Sequence, residues 1–276
     1  MNLDALPHTL LLILAEFSVG SLIAVLIADW RGMVPASFVK LSAWIIVAGA
    51  ALTLFIALSV GGVELETYEL VGGLFAPLRI LFAGFLPLAV LYAVLVQRER
   101  RVPSFQVGGL AVAAGLAGLS VFAYQVSPPT WGVAGVLLSI LLGTLALGFV
   151  TEAMILGHWY LVSPKLPAQP LRELTFVLLC VVAVQTVLVI INASIPAREV
   201  PETAAALAGS LGSNPAFWLR VGVGLVFPLA LAYMAWRSST ERSMMSATGL
   251  LYIAVGAVFV GELLARGLLF ATGSPV

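Results

Sequence analysis

Eight long apolar runs alternate along the chain with short polar segments. A transmembrane helix needs about 20 consecutive, mostly apolar residues, and each run reaches that length. None of the runs alternates between apolar and polar residues as a strand of a membrane barrel does. The pattern therefore predicts an all-α, polytopic transmembrane bundle of eight helices, with spans at about residues 8–28, 40–61, 72–96, 105–126, 131–161, 171–194, 216–236 and 246–271.

The composition supports this prediction. The chain is 61% hydrophobic and only 9% charged, whereas an ordinary soluble domain is about 25% charged. So few polar side chains cannot cover a soluble globule of 276 residues. We predict a single transmembrane domain over residues 1–276, embedded in a lipid bilayer and without a nucleic-acid partner.

The basic residues predict how the helices are oriented. Nine of the 13 lysines and arginines fall in every second connecting segment, and basic segments stay on the cytoplasmic side of a membrane. Both termini are therefore expected on the outer, periplasmic side, together with the acidic segment 62–71 and the segment 195–215. A short surface helix is expected at 202–212. The nine basic residues are Arg31, Lys40, Arg98, Arg100, Arg101, Lys165, Arg172, Arg237 and Arg242.

A few ionisable side chains lie inside the predicted spans, where they are costly and are candidates for function. From the helical rise, Glu16 and Glu262 lie about 12 and 13 Å below the outer surface, and Arg266 about 7 Å below it. Glu262 and Arg266 are four residues apart and share a helix face. Arg220 begins the seventh span near the same surface. We therefore expect these four side chains to meet in the outer half of the bundle.

Two interpretations of this group remain open from the sequence. Glu262 and Arg266 can form a buried ion pair that fixes the last helix to its neighbours. Alternatively, the group is a polar pocket that binds an amphipathic ligand and exchanges its protons. The additional carboxylate of Glu16 favours the second interpretation, because one ion pair would already neutralise itself.

A second polar stretch, TEAMILGHWYLVSP, occupies the end of the fifth span. Tryptophan and tyrosine are typical of membrane interfaces, so the stretch can be an aromatic belt with a hydrogen-bonded histidine. It can equally form a secondary polar site or a proton path. The candidate residues are Glu152, His158, Trp159 and Tyr160.

The sequence does not support a haem or metal centre in this chain. Its two histidines, His8 and His158, are expected at opposite membrane surfaces, so one haem cannot take both as ligands. The single cysteine, Cys180, excludes thiolate clusters within the chain and is expected to be a small core residue. The glycine- and alanine-rich stretch 106–119 and the pair Gly222 and Gly224 predict close packing between helices.

The segment WLRVGVGLVFPLALAYMAW (218–236), followed by LLYIAVGAVFVGELLARGLLF (250–270), resembles the last two helices of the membrane-anchor subunit of dimethyl sulfoxide reductase. That family is related to other eight-helix, quinol-interacting anchors of molybdopterin oxidoreductases, including nitrite- and polysulfide-reductase anchors. The resemblance covers about 60 residues closely and the rest by architecture. Its hallmark runs from Gly261 through Glu262 and Arg266 to Gly267, while Arg220 and Glu16 match further polar positions.

The resemblance implies a respiratory role in the inner membrane of a bacterium. Such an anchor holds an iron–sulfur subunit and a molybdopterin catalytic subunit on its outer face. It binds menaquinol or ubiquinol and supports electron transfer to the iron–sulfur partner. Without a redox group of its own, the present chain is expected to be a non-catalytic or quinol-binding subunit. Glu16 and Glu262 would accept protons, and Arg266 and Arg220 would position the site. The family usually has a histidine after its second helix, whereas residues 58–70 here contain none.

Two alternatives remain. A small proton-coupled transporter would use Glu152 and Glu262, which are expected at different depths, as stations of a proton route. A purely structural membrane subunit would use every buried charge for packing.

Overall fold

The computed structural model describes residues 5–61, 70–126, 132–163, 165–194 and 211–276. Within these ranges it contains eight helices that are long and apolar enough to cross a membrane, and no strand. The all-α bundle predicted from the sequence is thus confirmed. The helices are α1 (Leu6–Asp29), α2 (Ala36–Ser59), α3 (Phe75–Gln97), α4 (Arg101–Gln125), α5 (Gly132–Val162), α6 (Gln169–Ser194), α7 (Pro215–Thr240) and α8 (Met244–Thr272).

Several sequence predictions fall outside the described residues. They are all but the last two residues of the acidic segment 62–71, residues 195–210 of the segment 195–215, and with them all but the last two residues of the surface helix expected at 202–212.

Local sequence explains where the last two helices begin and end. Asn214 precedes α7, its side chain accepts a hydrogen bond from the backbone N–H of Ala216, and Pro215 occupies the first helical position. Gly273 ends α8 in the left-handed conformation, with φ of 68°. Between its two ends, α7 contains one π-helical turn over Gly222–Val226.

The helix ends form two opposite faces of the bundle. The ring centres of His8, near the start of α1, and Phe270, near the end of α8, lie 5.9 Å apart, so the start of α1 and the end of α8 share one face, here called the terminal end. Ion pairs link the connections at the other face, here called the basic end. There Arg31 pairs with Glu173 at 2.9 Å, and Lys40 pairs with Glu99 at 2.9 Å.

Three helices form the centre of the bundle. In the most apolar stretch of each helix, 67% of residues are buried in α1, 61% in α5 and 56% in α8, against 39% or fewer in the other five. Helices α2, α3 and α4 pack on one side of this centre, and α6 and α7 pack on another. These three helices therefore offer the largest share of positions at which a polar side chain is shielded from lipid.

Glycines allow the central helices to touch through their backbones. A Cβ atom built on Gly20 of α1 would lie 1.8 Å from the carbonyl oxygen of Thr144 in α5, and one built on Gly148 would lie 2.0 Å from the carbonyl carbon of Gly20. In the predicted glycine-rich stretch of α4, Gly115 and Gly118 also pack tightly against neighbouring side chains. Small residues therefore set the helix spacing, as they commonly do in membranes.

Cys180 does not occupy the core. It is exposed on the outer surface of α6, so the sequence-based expectation of a buried residue is wrong. The physical reason is that apolar residues occur on every side of α6, so hydrophobicity alone does not distinguish the face that packs from the face that meets lipid.

Candidate functional site: a buried charged cluster

Four charged side chains from three helices meet inside the bundle. Glu16 comes from α1, Arg220 from α7, and Glu262 and Arg266 from α8. All four residues are at most 1% exposed. The structure thus brings together the four residues that the depth estimates selected, here called the charged cluster.

Three ion pairs hold the charged cluster together. Nη2 of Arg266 lies 2.8 Å from Oε1 of Glu16 and 3.1 Å from Oε2 of Glu262. Nη1 of Arg220 lies 3.3 Å from Oε1 of Glu262. Two carboxylates thus face two guanidinium groups, so the cluster is neutral as a whole when every member is ionised. This balance is what makes four charges tolerable in a dry interior.

Two polar residues that sequence reasoning missed complete the hydrogen bonding. Ser139 of α5 accepts from Arg266 through its hydroxyl oxygen at 2.9 Å and through its carbonyl oxygen at 3.0 Å. Gln185 of α6 donates to Oε1 of Glu262 at 2.6 Å. The feature of the sequence that could have identified them is that both are polar residues inside apolar runs. Serine is too common in transmembrane helices for that signal to select it.

Gly143 of α5 makes the room for the charged cluster. A Cβ atom at this position would lie 2.3 Å from Nη2 of Arg266, 2.6 Å from Oε2 of Glu262 and 3.3 Å from Oε2 of Glu16. Any larger residue would therefore displace charged groups that are already held by their partners. Glycine is required here by the site and not by the backbone conformation.

The π-helical turn of α7 positions Arg220. Nη1 of Arg220 donates to the carbonyl oxygen of Gly224 at 3.1 Å, inside that turn. Gly224 in turn lies against Gly261 of α8, where a Cβ atom would come within 2.6 Å of the Cα atom of Gly261. This close approach, which the sequence predicted for Gly224, brings Arg220 within reach of Glu262. Single π-helical turns are frequent at functional sites.

The charged cluster retains unused hydrogen-bonding capacity. Within the described residues, the Nε–H groups of Arg220 and Arg266 have no acceptor, and both oxygens of Glu16 lack a hydrogen bond of good geometry although one lies in the ion pair. Buried polar groups normally find partners. Two donors and two acceptors of the charged cluster thus have hydrogen-bonding capacity that the described residues do not use.

The secondary polar residues bond to different parts of the molecule. Glu152 is fully buried and accepts from the hydroxyl of Ser42 at 2.6 Å. His158 is exposed, with Nδ1 3.1 Å from the hydroxyl oxygen of Tyr252. The hydroxyl of Tyr160 donates to the carbonyl oxygen of Pro167 at 2.5 Å.

Trp159 is half-buried against the apolar core. The end of α5 thus combines side chains at the basic end with a separate buried carboxyl group at Glu152.

A comparison with models of protein families gives no match to this chain, and a comparison with curated proteins gives none either. The fold and composition define an all-helical protein of the multi-pass membrane type.

Proposed function

We propose that the chain is the integral-membrane anchor subunit of a respiratory oxidoreductase complex, which binds quinol and supports electron transfer to an iron–sulfur partner. The charged cluster is the observation that carries this proposal. In the proposed orientation the basic end faces the cytoplasm and the terminal end faces the periplasm, because basic segments are retained inside. The membrane is then the inner membrane of a bacterium.

The hydrogen-bonding capacity of the charged cluster fits a quinol head group. The two Nε–H donors of Arg220 and Arg266 suit oxygen acceptors, and the oxygens of Glu16 suit hydroxyl donors. A quinol supplies two electrons and two protons when it is oxidised. Glu16 and Glu262 would hold those protons, and the guanidinium groups would orient the head group and keep the carboxylates from repelling each other.

The resemblance of the last two helices to dimethyl sulfoxide reductase anchors supports the proposed partners. An iron–sulfur subunit bound at the terminal end would be close to the charged cluster. Glu16 and Glu262 each lie ten residues from the nearer end of their helix, or roughly 15 Å along the axis. A molybdopterin subunit would complete the complex.

The proposal is tested by equilibrium binding of a radiolabelled short-chain menaquinol analogue, and in parallel a ubiquinol analogue, to the purified chain. Loss of a charged hydrogen bond costs about 1.5–3 kcal/mol, so Glu16→Gln, which changes the carboxylate whose oxygens are proposed to accept from the quinol, should weaken binding roughly ten- to a hundredfold. Glu152→Gln removes a buried carboxyl group outside the charged cluster and is the matched control. If neither analogue binds the parent, or if both variants bind as the parent does, the proposal fails.

A structural subunit is the second candidate, and one observation favours it: every member of the charged cluster already has an opposite charge within 3.3 Å. In that case Glu262→Gln would lower the unfolding temperature, and native purification would yield the chain without iron–sulfur or molybdopterin proteins.

A proton-coupled transporter would instead drive proton-dependent uptake as the isolated chain in liposomes. A transport route past Gly20 and Gly148 would have to open their backbone contact.

A further inference from the structure

Glu152 is a buried acid of a different kind from Glu16 and Glu262. It is fully buried near the middle of α5, ten residues and roughly 15 Å from the end of that helix. Within the described residues it has no cationic partner. Its Oε2 accepts a hydrogen bond from Ser42, whereas its Oε1 has none.

A carboxyl group in such surroundings is most stable as the neutral acid. Placing an uncompensated carboxylate in a dry interior is far more costly than placing a protonated carboxyl group there. The two glutamates of the charged cluster avoid this cost through arginine, and Glu152 has no such neighbour. Ser21 of α1 lies beside the same carboxyl group but makes no hydrogen bond of good geometry.

A cavity lies at the basic end of the bundle. It has a volume of ≈ 240 Å³ and lies between the end of α1 and the start of α2, and between the end of α3 and the start of α4. Val39 of α2 lines it, and Ser42 follows one helical turn later on the same face, about 5 Å along the axis. The hydroxyl that bonds Glu152 is thus separated from the cavity by a single turn.

A second link leads from the cavity to the same carboxyl group. Asp29 of α1 lines the cavity beside Arg101, which lies 3.9 Å from its carboxylate. Tyr92 of α3 is only 2% exposed and lies in the neighbourhood of both Asp29 and Glu152. Asp29, Tyr92 and Ser42 thus place ionisable or hydroxyl side chains of three helices between the basic end and Glu152.

The way onward to the charged cluster is closed. Gly143 and Glu152 are nine residues apart on α5, or roughly 13 Å. Between them the backbones of α1 and α5 meet at Gly20 and Gly148. The hydroxyl of Thr144 at this contact donates within its own helix, to the carbonyl oxygen of Ile140.

We infer that Glu152 is a proton-binding site that exchanges its proton with the basic end of the bundle, through the cavity and past Ser42 and Tyr92, and not with the charged cluster. The ligand is a proton, which converts the carboxylate to the carboxylic acid. This inference goes beyond the proposed function, since none of its residues belongs to the charged cluster. It holds whether or not the chain binds quinol.

The bound proton is tested by infrared spectroscopy of the full chain in lipid vesicles. A protonated carboxyl group in an apolar site gives a separate C=O stretching band that shifts in deuterated water. We expect Glu152→Gln, an isosteric change, to remove one such band. The matched control is Glu241→Gln, which removes a surface carboxylate paired with Arg237 and should leave the band. An unchanged band in Glu152→Gln would overturn the inference.

The access route is tested by the rate at which the same band shifts after transfer to deuterated water. Cys180 is the only cysteine, so Cys180→Ser gives a background for single cysteines. Ala36→Cys lies in the cavity wall, and Ser37→Cys is the exposed neighbour outside that wall. Modification of Ala36→Cys with a bulky charged reagent should slow the shift several-fold, and modification of Ser37→Cys should not. Equal rates in the two modified proteins would contradict access through the cavity.

Discussion

Nη2 of Arg266 lies 2.8 Å from Oε1 of Glu16 and thereby joins the last helix of the bundle to the first. The same guanidinium group pairs with Glu262 and donates to both oxygens of Ser139. Arg266 is thus the residue through which three central helices, α1, α5 and α8, are connected by charge. Its removal affects both carboxylates at once.

Arg266→Ala is expected to destabilise the protein by about 3–5 kcal/mol, because it leaves a buried carboxylate without its cation. Glu16 loses its ion pair entirely, whereas Glu262 retains Arg220. The measurement is the midpoint of thermal unfolding in detergent. Arg237→Ala breaks an exposed pair with Glu241 and should cost less than about 1 kcal/mol. Equal shifts in the two variants would show that the buried ion pairs of Arg266 stabilise the fold no more than an exposed ion pair does.

The charged cluster shows which parts of a membrane site can be predicted from the sequence. Glu16, Arg220, Glu262 and Arg266 could be selected because charges are rare in apolar helices and because the helical rise gives their depths. Ser139 and Gly143 could not, because serine and glycine occur throughout such helices for packing alone. That Gly143 leaves space for three charged groups depends on tertiary contacts.

Some features of the helices could likewise be predicted from the sequence and others could not. The spans predicted at 40–61 and 105–126 begin in the structure at Ala36 and Arg101. Their first turns contain polar residues that remain helical at the membrane surface, so an apolar run marks the hydrocarbon core and not the helix end. The apolar pattern of residues 216–236 gave no indication of the π-helical turn at Gly222–Val226, which lies where Gly224 meets Gly261.

Gly20→Ala is expected to destabilise the bundle by about 1–3 kcal/mol, as overpacking of a well-packed interior does. The added Cβ atom would meet the backbone carbonyl of Thr144 at 1.8 Å, and a backbone atom cannot rotate away as a side chain can. Gly109→Ala in α4 is the control, since a Cβ atom there meets nothing within 4 Å. The measurement is the midpoint of thermal unfolding of the two variants. If Gly20→Ala is as stable as Gly109→Ala, the backbone contact between Gly20 and Thr144 is refuted.

Glu99 provides a pH-dependent contact at the basic end. Nζ of Lys40 donates to its carboxylate at 2.9 Å, and this hydrogen bond holds the pKa of Glu99 below its ordinary value. A carboxyl group whose pKa is lower in the folded state stabilises that state above its unfolded pKa. The contribution is then lost as pH falls through the folded pKa.

We therefore expect Lys40→Gln to raise the pKa of Glu99 toward the ordinary value for glutamate, and high salt to act in the same direction. Carbon-13 NMR titration of the labelled carboxyl group in micelles measures the pKa directly. Lys165→Gln changes another exposed basic residue at the same end and should leave Glu99 unaffected. A titration of Glu99 that Lys40→Gln does not move would mean that the ion pair does not form in solution.

The proposed orientation of the bundle predicts which end a membrane-impermeant maleimide reaches in intact cells. Ser37 and Gly61 are exposed near opposite ends of α2, so single cysteines at these positions report on the two sides of the membrane. In the Cys180→Ser background, Gly61→Cys should react in intact cells, and Ser37→Cys only after permeabilisation. The reason is that the nine basic residues gathered at the other end are retained in the cytoplasm. The reverse labelling would place the charged cluster in the cytoplasmic half and would remove periplasmic partners from the proposed function.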